Sequence, residues 1–183
     1  MGRLDQLHRI SITGVESTGK STLAQSLGSA LNMIVVEECA RYDAEVQAGT
    51  VSISTLKRLG HEQWERCKEA EEIARKTGSR GVISDTDAHV LMVWSAWRWN
   101  HPLSGLEKLQ AWPQFTLLCS PTIPWVPDAL RSNPDKSERA ALHQMYLNRM
   151  ECGGPWSLVD KSTKKERLEQ SVRAFNAFVK TIR

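Results

Sequence analysis

The sequence lacks the features of a secreted protein, of a membrane-spanning protein and of a cysteine-based metal site. None of its four cysteines forms a C-x-x-C pair, the spacing of zinc ribbons and dithiol redox sites. No apolar run reaches the roughly 18 residues that a membrane-spanning helix needs. Residues 1–8 contain no apolar stretch like that of a signal peptide. We therefore expect a cytoplasmic protein.

A strong charge of one sign is also missing. Lysine and arginine number 24 and aspartate and glutamate 21, which gives a formal net charge of +3. The one local basic cluster, at residues 161–167, is more typical of a solvated helix face than of a nucleic-acid-binding surface. We expect neither a nucleic acid nor a membrane as partner, and the small positive excess is compatible with anionic metabolites. The sequence leaves the oligomeric state open.

The order of the apolar segments predicts an α/β fold in a single domain of residues 1–183. Short apolar runs alternate with segments of helical periodicity, which is the pattern of a parallel sheet covered by helices on both faces. The predicted strands are 9–13, 33–36, 81–84, 115–119 and 156–159. The predicted helices are 20–31, 54–76, 86–99, 137–150 and 164–181. Ligands of such sheets bind at the carboxyl ends of the strands, so the residues that follow each strand are the candidates for function.

The segment GVESTGKS at residues 14–21 matches the phosphate-binding pattern G-x-x-x-x-G-K-[ST] in full. A predicted strand enters it and a predicted helix leaves it, so backbone N–H groups and the helix N-terminus can face a phosphate group. The alternative, a glycine-rich turn that merely caps a helix, does not require this whole pattern. We expect Lys20 to reach the β- and γ-phosphates of ATP and Ser21 to bind Mg²⁺. The residues expected to bind the nucleotide are Gly14, Glu16, Ser17, Thr18, Gly19, Lys20, Ser21 and Thr22.

Carboxylates follow two of the predicted strands. Asp85 comes directly after strand 81–84, the position at which an acidic residue orients Mg²⁺, and Asp87 lies within reach of the same pocket. The alternative is that Asp85 or Thr86 caps the next helix. After strand 33–36 we favour Glu38 as the base that accepts the proton of an attacking hydroxyl. Its neighbour Glu37 is then a solvated residue.

A lid and aromatic stacking residues complete the candidate site. Arg131 and Arg139 flank a polar stretch after a proline-rich segment, as in a mobile lid that carries arginine to a transferred phosphoryl group. A plain surface loop is the alternative. Trp99, Trp125 and Tyr42 are candidates to stack on a flat heterocycle of the substrate. Trp94 and Trp97 are expected to pack in the core.

Together these motifs resemble the ribosylnicotinamide kinase domain of NadR-type proteins. The matching runs are ITGVESTGKSTL at 12–23, ECAR at 38–41, ISDTD at 83–87 and PWVPDALR at 124–131. The resemblance implies a three-layer P-loop kinase fold with a small lid. It also implies ATP- and Mg²⁺-dependent phosphorylation of nicotinamide riboside to nicotinamide mononucleotide, a step of NAD biosynthesis.

The resemblance also assigns roles to individual positions. Lys20 and Ser21 hold the phosphates and the metal, and Asp85 lies at the metal and substrate site. Glu38 and Arg41 lie near the riboside, and Arg131 belongs to the lid.

Two departures from the family pattern lie beside the expected acceptor pocket. Glu37 stands where relatives often have proline, and Cys39 where they often have an aromatic residue. The H-x-G-H type motif of an adenylyltransferase domain is missing, so we expect a stand-alone kinase. Two alternatives remain, a kinase for another nucleoside or small metabolite and a regulatory nucleotide-binding module. Carboxylates at both Glu38 and Asp85 favour an enzyme, because a switch needs no acceptor base.

Overall fold

The computed structural model describes residues 7–126 and 135–182, which fold into a parallel sheet with helices on both faces. The five strands are β1 (His8–Gly14), β2 (Ile34–Val36), β3 (Gly81–Ser84), β4 (Phe115–Cys119) and β5 (Trp156–Val159). The helices are α1 (Lys20–Leu31), α2 (Ala44–Gln47), α3 (Ile53–Thr77), α4 (Ala88–Trp99), α5 (Glu107–Gln110), α6 (Lys136–Met150) and α7 (Lys164–Thr181). A 3₁₀ helix covers Cys39–Tyr42.

The strands lie in the order β2-β3-β1-β4-β5, and all pairs are parallel. The first strand of the chain is therefore central, with β3 on one side and β4 on the other. Every strand ends at the same edge of the sheet. The loop after β1 thus lies between the loops after β3 and β4, which is where a site shared by several loops can form.

The main hydrophobic core lies between the sheet and the pair α1 and α7. Ile10 and Ile12 of β1 are fully buried there, together with Leu27 of α1, Leu117 of β4 and Phe175 of α7. On the opposite face, α4 and α6 cover one part of the sheet and α3 covers β2 and β3. Burial of strands on both faces explains why β3 and β4 read as continuous buried runs.

The long helix α3 has clear sequence signals at both ends. Ser52 and Thr55 form a reciprocal capping box, in which Thr55 N donates to Ser52 Oγ (3.2 Å) and Ser52 N to Thr55 Oγ1 (3.1 Å). At its other end Gly78 adopts a left-handed conformation with φ 71°, which glycine adopts without a Cβ penalty. Local sequence therefore determines the length of this helix.

The predicted fold class is confirmed, and every predicted strand is present with bounds that shift by at most one residue. The sequence interpretation missed the 3₁₀ helix and the two four-residue helices α2 and α5. Helix α4 begins at Ala88 rather than at 86, because Asp87 is its N-cap. The segment of the expected lid that contains Arg131 lies outside the described residues.

None of the described helices is long and apolar enough to cross a membrane.

We predict that Ile10→Ala will lower the free energy of unfolding by about 2–5 kcal/mol, since it leaves a cavity in the packed core. The matched control is Ile73→Ala on α3, whose side chain is 52% exposed and should change stability by less than about 0.5 kcal/mol. Urea denaturation at constant m-value measures both. Equal effects of the two substitutions would contradict the assigned core.

Candidate active site

The turn between β1 and α1 adopts conformations that favour glycine. Gly14 has φ 131°, and a Cβ added there would lie 2.5 Å from the carbonyl oxygen of Cys119 in β4. Gly19, the N-cap of α1, has φ 73°, and Ser17 has φ 57°. Alternation of left- and right-handed residues curls the backbone so that successive N–H groups can face one side, as in an anion-binding nest. The phosphate-binding motif therefore has the conformation that its pattern predicts.

Side chains of the motif stabilise this turn from within. Thr18 Oγ1 donates to Val15 O at 2.7 Å. Lys20 Nζ donates to Gly14 O at 2.9 Å and to Val15 O at 3.0 Å. An ammonium group has three N–H donors, so one remains for an anion in the turn.

Two buried arginines brace the turn from outside. Arg139 of α6 donates from Nη2 to Ser17 O at 3.4 Å, and Arg167 of α7 donates from Nη2 to Thr18 O at 2.7 Å. Because the peptide unit is planar and trans, a C=O held towards α6 and α7 turns the next N–H to the opposite side. The two guanidinium groups thus help to orient the N–H groups of Thr18 and Gly19.

The interpretation of the basic cluster at 161–167 as a solvated face is wrong for Arg167. Its side chain is buried, and it also donates from Nη1 to Lys161 O at 3.1 Å. Position 167 begins the buried stripe of α7, which continues at Ser171, Phe175 and Val179 with a spacing of four. That spacing is the signal that could have identified Arg167 from the sequence.

Arg139 was expected in a lid above the nucleotide, whereas its guanidinium contacts the backbone of the loop. Residues on both sides of the undescribed segment contact the same P-loop residue, since Val126 N donates to Ser17 Oγ at 3.0 Å.

Two carboxylates lie at the same edge of the sheet as this turn. Asp85 follows β3, its N–H donates to Val36 O at 2.9 Å, and its side chain lies close to that of Ser21. Glu38 follows β2 and is half-buried in the same cavity. Burial raises the pKa of both carboxyl groups, although the nearby Lys20 ammonium opposes the rise. Raised pKa values make both carboxylates stronger bases than solvated ones.

The oxygens of Ser21 and Asp85 form a fitting partial site for Mg²⁺, which prefers hard oxygen ligands. The buried Oδ1 of Asp85 has no hydrogen-bond partner among the described residues, so it can accept one more contact. No cluster of three or more His, Cys, Asp or Glu suited to a metal occurs in the described ranges. A Mg²⁺ ion here would therefore complete its coordination with phosphate oxygens and water, as Mg²⁺ usually does.

The P-loop and the carboxylates open into one cavity of about 600 Å³, within the usual size of a small-molecule site. Its wall contains these predicted residues: Gly14, Glu16, Ser17, Thr18, Gly19, Lys20, Ser21, Thr22, Glu38, Arg41, Tyr42 and Asp85. The end away from the P-loop is apolar and is lined by Val46, Val51, Leu56, Leu59, Leu91 and Trp94. Trp94, expected in the core, packs against the apolar cluster that includes Leu56 and Leu91, and it also lines the cavity.

Asp87 does not line the cavity. It is 1% exposed, and its carboxylate accepts hydrogen bonds from His89 Nδ1 at 2.9 Å, from Ser11 Oγ at 3.3 Å and from the N–H of Val90 at 3.3 Å. The helix-capping role considered for Asp85 and Thr86 thus belongs to Asp87. Its carboxylate points into the fold because α4 begins there.

Two of the three proposed stacking residues also lie outside the cavity wall. Trp99 packs against the apolar cluster around Leu103 and Leu106, with the Arg98 guanidinium 5.7 Å from its ring centroid. Trp125 is half-buried in the segment that follows β4. Tyr42 does line the cavity, and its hydroxyl donates to Glu37 at 2.9 Å.

The five-stranded parallel sheet and the phosphate-binding turn define a P-loop protein with the nucleotide-kinase fold. A sequence model of the AAA domain family matches residues 9–167, and the chain belongs to that family. No curated protein shows a significant sequence match to the chain.

Solved structures with the same fold include kinases. A NadR protein in complex with NR is 19% identical over 96% of this chain and 50% of that chain, with a TM-score of 0.69. The thymidylate kinase of Ehrlichia chaffeensis is 12% identical over 92% of this chain and 98% of that chain, with a TM-score of 0.64. The deoxyadenosine kinase of M. mycoides with bound dCTP is 12% identical over 92% of this chain and 99% of that chain, with a TM-score of 0.60. The chain thus spans about half the length of the NadR chain and nearly all of the other two.

The buried pair of His89 and Asp87 predicts a pH dependence of stability. Burial alone would lower the pKa of His89, but the Asp87 carboxylate outweighs it and raises that pKa. The protonated His89 therefore contributes fully to the free energy of unfolding below the ordinary histidine pKa of about 6.5. This contribution is lost as the pH rises through the raised pKa of the folded state. The free energy of unfolding should fall more between pH 6 and pH 8.5 in the wild type than in His89→Gln. Urea denaturation at both pH values checks this, and equal slopes would contradict the charged pair.

Proposed function

We propose that this chain transfers the γ-phosphoryl group of ATP to a hydroxyl of nicotinamide riboside and so produces nicotinamide mononucleotide and ADP. The observation that carries the proposal is one cavity that joins a phosphate-binding turn, the carboxylates of Glu38 and Asp85 and an apolar compartment with aromatic walls. The NR complex of a NadR protein with this fold supports the choice of acceptor.

The nucleotide end of the cavity would bind ATP mainly through the backbone. The N–H groups of the turn and the N-terminus of α1 face the phosphates, and Lys20 supplies a positive charge at the β- and γ-phosphates. The oxygens of Ser21 and Asp85 would hold Mg²⁺, which when bound neutralises charge on the phosphates. Because this turn is braced by α6 and α7, its donors need little rearrangement when the reaction occurs.

At the other end, Glu38 is the proposed base. A sugar hydroxyl oxygen forms a bond to the γ-phosphorus while the bond from that phosphorus to the β,γ-bridging oxygen breaks. The hydroxyl proton passes to the Glu38 carboxylate, whose pKa is raised by burial and which therefore accepts a proton more readily than a solvated carboxylate does. Lys20 lies close enough to stabilise negative charge at the transferred group.

The walls of the apolar compartment favour a cationic aromatic base over a neutral nucleobase. Trp94 and Tyr42 offer aromatic faces, and Glu37 lies at the mouth of the cavity with its carboxylate near Tyr42. In the described wall the only side-chain amide is Gln25, which belongs to α1 beside the P-loop. Neutral nucleobases are usually selected by paired donors and acceptors. A pyridinium ring instead gains from aromatic faces and nearby carboxylates.

The function is tested by ADP release from MgATP with a panel of acceptors that includes nicotinamide riboside, thymidine and deoxyadenosine. We expect nicotinamide riboside to raise the rate at least about 10-fold over the other nucleosides, since one order of magnitude needs only about 1.4 kcal/mol. A higher rate with another nucleoside would mean that this nucleoside, and not nicotinamide riboside, is the acceptor. Nucleotide binding with no acceptor-dependent turnover would favour a regulatory module.

Lys20→Ala should lower kcat by at least about 100-fold, since it removes a charged donor aimed at the transferred phosphoryl group. The control is Lys57→Ala, a solvent-exposed lysine of α3 far in sequence from the turn. Both variants are compared with the wild type by steady-state kinetics, with thermal unfolding to verify the fold. A kcat of Lys20→Ala within a factor of three of the control would refute the role of this lysine.

A further inference from the structure

Gln63 of α3 lies outside the cavity wall, yet it contacts both loops that carry the proposed catalytic carboxylates. Its side chain is fully buried. Its Oε1 accepts a hydrogen bond from Cys39 N at 3.0 Å. Its Nε2 donates to Glu37 O at 3.3 Å and to Ser84 Oγ at 3.0 Å.

The orientation of the Gln63 amide follows from these partners. A backbone N–H can only donate and a backbone carbonyl can only accept, so Oε1 must face Cys39 N and Nε2 must face Glu37 O. A glutamate carboxylate at this position would have no donor for Glu37 O, and an apolar side chain would leave the N–H of Cys39 unpaired. The site therefore matches the chemistry of glutamine specifically.

These three bonds are made to the residues next to the two carboxylates in the chain. Glu38 lies between the two backbone groups that Gln63 holds, the carbonyl of Glu37 and the N–H of Cys39. Ser84 directly precedes Asp85. One amide group thus links the turn after β2 to the end of β3, in addition to the backbone bond from Asp85 N to Val36 O.

Helix α3 fixes the same turn at a second point. The thiol of Cys39 donates to Leu59 O at 3.4 Å, one helical turn before Gln63. Cys39 is buried, with its side chain packed against α3 rather than in the cavity. The departure from the family pattern at Cys39 therefore acts on how the turn is anchored.

We propose that Gln63 is a positioning residue that fixes Glu38 and Asp85 relative to each other for the transfer step. The inference rests on the proposed kinase function. A shift of about 1 Å in a reacting group can cost a factor of about 100 in rate, so loss of this amide should act on the chemical step. The nucleotide site, whose bonds come from α1, α6 and α7, should remain intact.

The test is Gln63→Met, which keeps the length of the side chain and removes all three hydrogen bonds. We expect kcat with the best acceptor of the panel to fall about 10- to 100-fold, while the KM for ATP stays within about threefold of the wild type. The control is Gln114→Met, which removes a side-chain bond to Arg9 N (3.1 Å) at the opposite edge of the sheet. A rise in the KM for ATP that matches the loss in kcat would indicate general loosening and would overturn the inference.

A second readout does not need turnover. Alkylation of Cys39 by iodoacetamide, mapped by peptide mass spectrometry, reports opening of the Glu37–Cys39 turn. We expect labelling of Cys39 to become at least about fivefold faster in Gln63→Met, while buried Cys119 is unaffected, because local opening exposes only the loosened segment. If the wild type turns over no acceptor, the proposed function fails, and the labelling result still decides whether Gln63 holds the turn. Unchanged labelling would overturn the inference.

Ser84→Ala is the second variant and perturbs the fold least. It removes the link from Gln63 to the end of β3 and leaves the two bonds from Gln63 to the turn after β2 in place. We expect a smaller loss of kcat, about threefold, at an unchanged KM for ATP, as for the loss of one of several positioning contacts. If Gln63→Met does not fold, a kcat of Ser84→Ala equal to that of the wild type would overturn the inference.

Discussion

The turn between β1 and α1 requires a close approach of two backbones, and the whole site is arranged around it. Gly14 lies so near the carbonyl of Cys119 that no Cβ fits, and Gly19 begins α1 in the left-handed conformation. This geometry aims backbone N–H groups at one point, where an anion gains from fixed dipoles without reorganisation. The central position of β1 in the sheet then places the turn between the loops after β3 and β4.

The surrounding helices hold this turn through buried cations. Arg167 donates to the backbone carbonyls of Thr18, Val159 and Lys161, and it forms no salt bridge with a carboxylate in the described part of the chain. Burial of a guanidinium without a counter-charge costs free energy, because the charge loses its hydration. An anion bound nearby, in a medium of low dielectric constant, offsets this cost through electrostatic attraction. The brace that shapes the turn therefore also contributes positive potential at the phosphate site.

The opposite end of the cavity combines apolar walls with carboxylates, and the same burial that shapes the pocket adjusts its chemistry. Removal of water from around Glu38 and Asp85 raises their pKa values, while Lys20 and Arg41 oppose the rise. The two departures from the family pattern act differently. Glu37 lies exposed at the mouth and accepts from Tyr42, whereas Cys39 is buried against α3. The two positions thus have different surroundings, although a single residue separates them.

Local patterns determined the strands, the main helices and the phosphate-binding turn, because these depend on periodicity, on capping residues and on glycines at fixed spacing. They also placed Lys20, Ser21, Glu38 and Asp85 in one cavity, since parallel strands end at a common edge. Local patterns could not show that Arg167 is buried under the turn, that Trp94 lines the cavity, that Asp87 points into the fold or that Gln63 joins two loops. Each of those facts depends on which helix packs against which loop, and residues more than 20 positions apart meet only when the tertiary structure brings them together.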